Sequence, residues 1–300
     1  MTAFSRVALI GFGEVGQTLA ADLLKARADV SAYDILFDAP DSPPSRATRT
    51  ISVRKAKSAS DAIANAELIV SAVTAASDVD AARSVTPGIP RGAFYVDLNS
   101  VSPATKTVCA RLIDDAGGRY VEAAVMTPIN PRGIASPMLL GGAHAAAFLE
   151  RAAPLGFSAK VFSATLGQAA AVKMCRSVII KGVEALLTES MLAARRYGVE
   201  KPVLDSLSDL LPAGDWEKIA RYFISRSLEH GVRRAEEMRE AAKTVAEAGV
   251  APLMASATAE REDWAALFKD ALSEKDLGAM LDAIRARMDK RAATASKAAE

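Results

Sequence analysis

The chain has 300 residues, half of them apolar and only 5% aromatic, and its 37 Lys and Arg balance 36 Asp and Glu to a net charge of +1. This length allows two domains, each with a buried core. The small net charge creates no field that would recruit nucleic acid or an anionic membrane, so neither is an expected partner.

The cysteines and the apolar segments point away from secreted and membrane proteins. Cys109 and Cys175 fit no metal-ligand spacing, so we expect two buried thiols and no metal site. The apolar run that follows Arg6 is too short for a signal peptide, and no later stretch offers the roughly 18 uncharged residues of a membrane span. We therefore expect a cytoplasmic protein.

From residue 6 to about residue 163, short apolar runs alternate with amphipathic segments. Nearly continuous apolar runs are typical of strands covered on both faces, and intervening helices imply βαβ units. The sequence therefore predicts an α/β domain over 1–163, built on a Rossmann-type doubly wound parallel sheet. The predicted strands span 7–10, 30–33, 68–73, 93–98 and 120–125, and the predicted helices span 15–27, 77–83 and 103–115.

Beyond residue 163 the pattern becomes purely helical. The segment 166–197 contains no proline and is apolar almost all round, which predicts a long helix in the protein interior. Every later segment also has a helical pattern, so we expect an all-α domain for substrate binding and dimerisation over 164–290. Residues 291–300 have no face that could be buried, and we expect a disordered tail there.

A glycine-rich motif directly follows the first predicted strand and opens the next helix. Its pattern, G-x-G-x-x-G, is formed by Gly11, Phe12, Gly13, Glu14, Val15 and Gly16. In this context glycines allow a tight turn and bring backbone N–H groups close to a pyrophosphate, which the helix N-terminus also favours. The motif therefore predicts that these six residues bind a dinucleotide.

The choice of cofactor depends on the end of the second strand. Asp34 stands there, about twenty residues after the motif, where a carboxylate accepts hydrogen bonds from the ribose and repels the 2′-phosphate of NADP. NAD is therefore favoured, although Arg46, Arg49 or Arg54 could hold a phosphate, which keeps NADP possible. We also assign to this site Val73 and Thr74, at the end of the third strand.

Three later stretches accompany the glycine motif: Asp-Leu-Asn-Ser-Val-Ser-Pro over 97–103, Val-Glu-Ala-Ala-Val-Met-Thr-Pro over 121–128 and Gly-Gln-Ala-Ala-Ala-Val-Lys over 167–173. Together and in this order they resemble the β-hydroxyacid dehydrogenase superfamily, which includes 3-hydroxyisobutyrate dehydrogenase and 6-phosphogluconate dehydrogenase. The resemblance covers nearly the whole chain. Beyond residue 190 it is closer to a less studied branch, in which His230, Arg233 and Arg234 either meet an anionic group or form a solvated helix face.

The resemblance implies roles for residues in the stretches 97–103 and 121–128, each of which includes the end of a predicted strand. Ser100 would hydrogen bond to the carboxylate or hydroxyl of the substrate, and Asn99 would lie beside the nicotinamide and help to bind the substrate. Ser102 before Pro103 also marks an ordinary helix start. In the second stretch, Met126, Thr127 and Pro128 stand where the family has Ser-Gly-Gly. Thr127 either offers its hydroxyl to the substrate or is a turn residue, so the substrate is left open.

The third stretch implies the acid/base. Lys173 occupies the position of the family's catalytic lysine, whereas Arg176 and Ser177 replace its usual Asn pair. Ser177 shares a helix face with Lys173 and is assigned to substrate binding, and Lys181 and Glu184 continue that polar stripe. The alternative is that Lys173 reaches solvent or pairs with Glu184.

The implied reaction is reversible oxidation of a small β-hydroxy acid or similar anionic alcohol, with hydride passing to NAD and the proton to Lys173. Family members that dimerise through the helical half imply a homodimer. Two alternatives stay open. One is an imine reductase of the same architecture, against which Lys173 counts because that branch commonly replaces the lysine, and the other is a non-catalytic NAD-binding protein.

Overall fold

The computed structural model describes residues 2–210 and 214–298. The chain divides into two compact units, of which the first ends at Cys175 and the second begins at Arg176. The predicted boundary at residue 163 lies before the helix that spans Gln168–Tyr197, whereas the division falls inside that helix.

The described part of the first unit contains one sheet of eight strands in the order β3-β2-β1-β4-β5-β6-β7-β8. All neighbouring strands are parallel except β6 and β7, which are antiparallel. The predicted Rossmann-type sheet is therefore confirmed, with three further strands that the pattern did not indicate. The strands are β1 (Arg6–Ile10), β2 (Asp29–Tyr33), β3 (Arg54–Lys55), β4 (Leu68–Ser71), β5 (Phe94–Asp97), β6 (Arg119–Val125), β7 (Met138–Gly141) and β8 (Ala159–Ser163).

Helices cover both faces of this sheet. Leu9 of β1 packs in one apolar cluster and its neighbour Ile10 packs in the other, because successive strand residues point to opposite faces. Helix residues such as Leu19 and Ile113 complete the two clusters. The helices are α1 (Glu14–Lys25), α2 (Pro43–Ala47), α3 (Ala59–Ile63), α4 (Asp78–Val85), α5 (Pro103–Asp115) and α6 (Ala145–Ala152).

The described part of the second unit contains helices joined by short turns and no strand, as predicted. Its helices pack around a core that includes Met191, Leu228 and Phe268. The last helix continues through Ala298, so 291–298 are helical where a disordered tail was expected, and residues 299 and 300 lie outside the described part. The helices are α7 (Gln168–Tyr197, which begins in the first unit), α8 (Glu200–Leu210), α9 (Trp216–Glu247), α10 (Leu253–Ala265) and α11 (Leu277–Ala298).

Helix α7 is not buried all round, contrary to the prediction from its apolar composition. Ile179 and Leu186 are 68% and 58% exposed, whereas the charged Lys181 and Glu184 are buried. The polar stripe faces inward because α9 provides partners for both charges. Cys175 is also exposed and Cys109 is buried, so the prediction of two buried thiols is correct only for Cys109. None of the described helices is both long and apolar enough to cross a membrane.

Candidate active site

The glycine motif forms a tight loop between β1 and α1, beside the point where the strand order reverses. Gly11 has a φ of +95°, and a Cβ there would overlap the carbonyl of Ala72. A Cβ on Gly16 would overlap the carbonyl of Gly11, so the close packing of helix on loop also needs glycine. A Cβ on Gly13 would meet nothing within 4 Å, which leaves the backbone before α1 open to a ligand.

Asp34 lies directly beside this loop. Its Oδ2 accepts a hydrogen bond from the backbone N–H of Phe12 at 2.7 Å, and its Oδ1 accepts one from Leu36 at 2.9 Å. The carboxylate therefore joins the end of β2 to the glycine motif, and each oxygen can accept a further bond. The structure thus brings together two elements that the sequence placed in one cofactor site.

The three arginines considered as partners of a 2′-phosphate are bonded to other groups. Arg46 donates to the carbonyl of Asp41, and Arg49 donates to the carbonyl of Pro40 at 3.1 Å. Arg54 pairs with the Asp61 carboxylate of α3 at 2.8 Å. Each guanidinium is held by a neighbour other than Asp34.

Asn99 connects the ends of β4 and β5. Its Oδ1 accepts the backbone N–H of Val73 at 2.8 Å, and its Nδ2 donates to Ser71 Oγ at 2.9 Å and to Asp78 Oδ1 at 2.7 Å. Asn99 is only 6% exposed, and both of its N–H donors are used inside the protein. Val73 and Asn99, both predicted to bind the cofactor, are therefore in direct contact, while Thr74 is exposed beside them.

A buried charged cluster, which the sequence pattern did not indicate, lies under these strand ends. Lys106 Nζ is 2.7 Å from Asp97 Oδ1, and the Tyr120 hydroxyl donates to Asp97 Oδ2 at 2.6 Å. Burial opposes a charge on Lys106, but the Asp97 and Asp78 carboxylates raise its pKa. A lysine in the first turns of an amphipathic helix is usually exposed, so the pattern of α5 carried no signal for this contact.

The loop between β5 and α5 contains two serines, Ser100 and Ser102, whose structural roles differ. Ser102 is the N-cap of α5, since its Oγ accepts the N–H of Thr105 at 3.2 Å, and Pro103 is the first helical residue. The helix start therefore accounts for Ser102. Ser100 is half-buried and takes no part in this cap.

Thr127 follows β6, at the same edge of the sheet as Ser100, because β5 and β6 are parallel neighbours. Its hydroxyl is buried and has no hydrogen-bond partner among the described residues. The loop that it begins is held against α1, where Asn130 Nδ2 donates to Glu14 Oε1 at 3.0 Å and Ile134 N donates to Asp22 Oδ2 at 3.0 Å. The Glu14 side chain therefore secures this loop.

Glu122 of β6 anchors the start of α7. Its Oε1 accepts the backbone N–H groups of Gly167 at 3.0 Å and Ala169 at 3.1 Å, and burial raises the pKa of its carboxyl group. Gly141 leaves room for this carboxylate, which a Cβ there would overlap. A negative charge at this helix end is also favoured by the helix dipole.

The first turns of α7 carry Lys173 alongside the end of β6. Ala169 packs with Ala124 and Leu139, and both Val172 and Met126 pack against this small cluster. Val172 directly precedes Lys173, and Met126 directly precedes Thr127. Both Lys173 and Thr127 are predicted site residues. Lys173 is half-buried. The helix start and the β6 loop are thus held together by apolar contacts and by Glu122.

The remaining polar residues of α7 lie in the second unit. The Ser177 hydroxyl accepts a hydrogen bond from Lys181 Nζ at 3.4 Å, and Lys181 pairs with Glu237 of α9 at 2.5 Å. Glu184 pairs with the buried Arg234 of α9. Glu184, the alternative partner considered for Lys173, therefore already has an ion-pair partner. Arg233 also pairs with Glu237, at 3.0 Å, so this arginine run is engaged in ion pairs of the helical unit.

Comparisons with known families agree with this arrangement. Residues 6–155 match the family described as the NAD binding domain of 6-phosphogluconate dehydrogenase. Residues 194–264, within the helical unit, match a family described as a domain of unknown function, DUF1932. The first match covers half of the chain.

Solved structures extend the likeness to nearly the whole chain. A conserved hypothetical protein from Sinorhizobium meliloti 1021 is 35% identical, with a TM-score of 0.72 and coverage of 95% of this chain and 97% of its own. Mycobacterium tuberculosis 3-hydroxyisobutyrate dehydrogenase, determined with L-serine, is 18% identical with a TM-score of 0.70, covering 95% and 100%. A Streptomyces aurantiacus imine reductase is 18% identical with a TM-score of 0.53, covering 93% and 99%. The last two share the fold.

Proposed function

The chain belongs to the β-hydroxyacid dehydrogenase superfamily, and we propose on that premise that it is an NAD-dependent oxidoreductase acting on a small β-hydroxy acid or similar anionic alcohol. One observation carries the proposal. Glu122 and the cluster around Ala169 hold the helix start that bears Lys173 against the strand end that bears Thr127. A candidate proton carrier and a candidate substrate ligand are thereby fastened to the sheet that carries the glycine loop.

The residues of the first unit fit a bound dinucleotide. The open backbone at Gly13 would receive the pyrophosphate, and Asp34 would accept hydrogen bonds from the ribose. Because Arg46, Arg49 and Arg54 are bonded to other neighbours, no described arginine of this loop offsets the repulsion between Asp34 and a 2′-phosphate. NAD is therefore the proposed cofactor in preference to NADP.

The chain's own contribution to the reaction is positioning and proton transfer. Bound NAD would supply the hydride acceptor for the carbon that bears the hydroxyl group. Lys173 accepts the hydroxyl proton as the C–H bond breaks and the carbonyl forms, and it returns that proton in the reverse direction. Ser100 and Thr127 orient the substrate through their hydroxyls.

The substrate is proposed to be a small anion recognised by side-chain hydroxyls. Pro128 has no backbone N–H, so the segment lacks one of the donors with which the family binds a carboxylate. The Thr127 hydroxyl is buried without a partner and is available to replace that donor. Ser177 stays a prediction, because it belongs to the second unit and is engaged by Lys181 there.

An imine reductase is the second candidate, and the fold shared with the Streptomyces enzyme favours it. Lys173 counts against this candidate, because the imine reductase branch of the superfamily commonly has another residue in place of that lysine. The deciding experiment is a screen of hydroxy acids with NAD and of cyclic imines with NADH and NADPH, followed by absorbance of the reduced cofactor. Oxidation of a β-hydroxy acid supports the proposal. Turnover of imines alone, or of neither class, contradicts it.

We also propose that the protein is a homodimer that uses the exposed apolar face of α7. Ile179 and Leu186 lie seven residues apart on one helix face, and Ile180 beside them is 40% exposed. Exposed apolar side chains clustered on one helix favour association with another protein surface. A second copy of this chain fits the dimerisation that the family resemblance implies.

A further inference from the structure

Asp78 is a fully buried carboxylate that the proposed chemistry leaves without a role. It is the first residue of α4 and directly follows the segment that contains Val73 and Thr74. Its Oδ1 accepts a hydrogen bond from Asn99 Nδ2 at 2.7 Å, and the Cys109 thiol lies 3.7 Å from its Oδ2. A buried carboxylate in this position requires a compensating interaction, and Asn99 supplies one of them.

The partner atoms around Asn99 allow only one orientation of its amide. The carbonyl oxygen faces the N–H donor of Val73, and the NH₂ group faces two oxygens, Ser71 Oγ and Asp78 Oδ1. A flipped amide would bring two donors together at Val73 and two acceptors together at Asp78. The carboxylate is the stronger acceptor of the two that the NH₂ group meets, because its charge strengthens the bond.

We propose that Asp78 is a positioning residue that fixes the Asn99 amide and, through it, the Val73 backbone for cofactor binding. This inference rests on the proposed function and on the sequence-based prediction that Val73 and Thr74 line the cofactor site. Asp78 touches neither cofactor nor substrate in this scheme. It acts on the loop that does so.

Other charged and titratable groups surround Asp78 and determine how it responds to pH. Asp97 and Tyr95 of β5 face it, as do Tyr120 of β6 and both Lys106 and Cys109 of α5. The Glu122 carboxylate also helps to raise the pKa of Lys106. Burial raises the pKa of the Cys109 thiol and of both tyrosine hydroxyls, so these groups stay neutral. Lys106 thus faces two carboxyl groups.

The Lys106 ammonium group forms its ion pair with Asp97, and Asp78 is buried beside that pair. Burial and the nearby Asp97 carboxylate raise the pKa of Asp78 to about 7. Below that pH, Asp78 takes up a proton and becomes a weaker acceptor for the Asn99 amide. The affinity for cofactor should therefore fall as the pH is lowered through about 7.

The test is a set of NAD titrations, followed by intrinsic fluorescence, on the wild type and matched variants. We expect Asp78→Ala to weaken NAD binding about tenfold, as for loss of one charge-assisted hydrogen bond. Asp78→Asn should stay within about threefold, because its amide oxygen can accept the same bond. Asp80→Ala is the control, since Asp80 is an exposed aspartate of the same helix.

A double-mutant cycle separates positioning from a general loss of structure. If Asp78 acts through Asn99, the Asp78→Ala change should have no further effect on NAD affinity in an Asn99→Ala background. Additive losses, or a folded Asp78→Ala variant that binds NAD like the wild type, would overturn the inference. If Asp78→Ala does not fold, the pH dependence decides: the decline in NAD affinity below about pH 7 should be absent in Asp78→Asn, and an unchanged profile overturns the inference.

The same measurements distinguish this inference from the proposed function. A wild type that binds NAD with Asp78 and Asn99 coupled, but oxidises no hydroxy acid, would leave the inference standing and contradict the proposed reaction. A wild type that binds neither NAD nor NADP would overturn both.

Discussion

The carboxylate of Glu122 accepts the backbone N–H of Gly167 at 3.0 Å and so ties the sixth strand of the sheet to the helix that carries Lys173. Glu122→Ala would leave the buried N–H groups of Gly167 and Ala169 without an acceptor, at a cost of about 2 kcal/mol or more in unfolding free energy. Glu122→Gln keeps the acceptor and should cost much less. Urea unfolding of both variants checks this, and equal losses would show that the charge matters more than the hydrogen bonds.

Lys173→Met should remove the proton carrier while keeping much of the side chain's length and apolar bulk. Once a substrate is found, kcat should fall about 10²- to 10⁴-fold with NAD affinity nearly unchanged. Lys160→Met is the control, because Lys160 is an exposed lysine of the same unit. Near-normal turnover in Lys173→Met would end the assignment of this lysine as the acid/base.

Asp34→Ala should affect the two cofactors differently. It removes the repulsion of a 2′-phosphate together with hydrogen bonds to the ribose, so NAD binding weakens by about 1–3 kcal/mol while the preference over NADP narrows. Part of the NAD loss comes from the glycine loop, because Asp34 also accepts the Phe12 N–H. Fluorescence titration with both cofactors measures the difference between the NAD and NADP affinities. Asp38→Ala is the control, because Asp38 is an exposed aspartate. A wild type that prefers NADP would contradict the assignment.

Lys181→Met should destabilise the helical unit without weakening NAD binding. Lys181 is buried and pairs with Glu237, and removal of one partner of a buried ion pair typically costs about 3–5 kcal/mol, but Glu237 keeps Arg233 as a second partner, so the loss should be smaller than that. The paired variant Lys181→Met with Glu237→Leu should recover part of that loss, since the buried Glu237 carboxylate is then removed together with its Lys181 partner. Chemical denaturation of the single and paired variants is the measurement. No recovery would show that the pair does not account for the effect.

Ile179→Asp should convert a dimer into a monomer. A charge in the apolar face of α7 would have to be desolvated in an interface between two copies, which opposes association. Sedimentation velocity gives the oligomeric state, and Leu253→Asp serves as the control because Leu253 is equally apolar and 75% exposed on α10. If the wild type sediments as a monomer, or if both variants dissociate alike, the proposed interface is wrong.

The sequence by itself determined the features that depend on neighbouring residues along the chain. The spacing of Gly11, Gly13 and Gly16 after an apolar strand is a local requirement of the turn, and the structure shows the same close contacts that exclude side chains at Gly11 and Gly16. Asp34 contacts that turn for the same reason, because it directly follows the strand next to it. The five predicted strands and the change to helix are likewise local patterns of polarity.

Tertiary structure decided which polar side chains meet. Lys106 and Asp78 are on different helices, and nothing in either segment signals that both are buried beside Asp97. The polar stripe of α7 is buried because Arg234 and Glu237 of α9 lie opposite it, and the pattern along α7, which predicted burial all round, could not indicate that Ile179 and Leu186 are exposed. The short β3 and the exposed edge strand β8 carry too little apolar pattern to be recognised. A contact between distant segments depends on both partners, and a single segment contains the chemistry of only one.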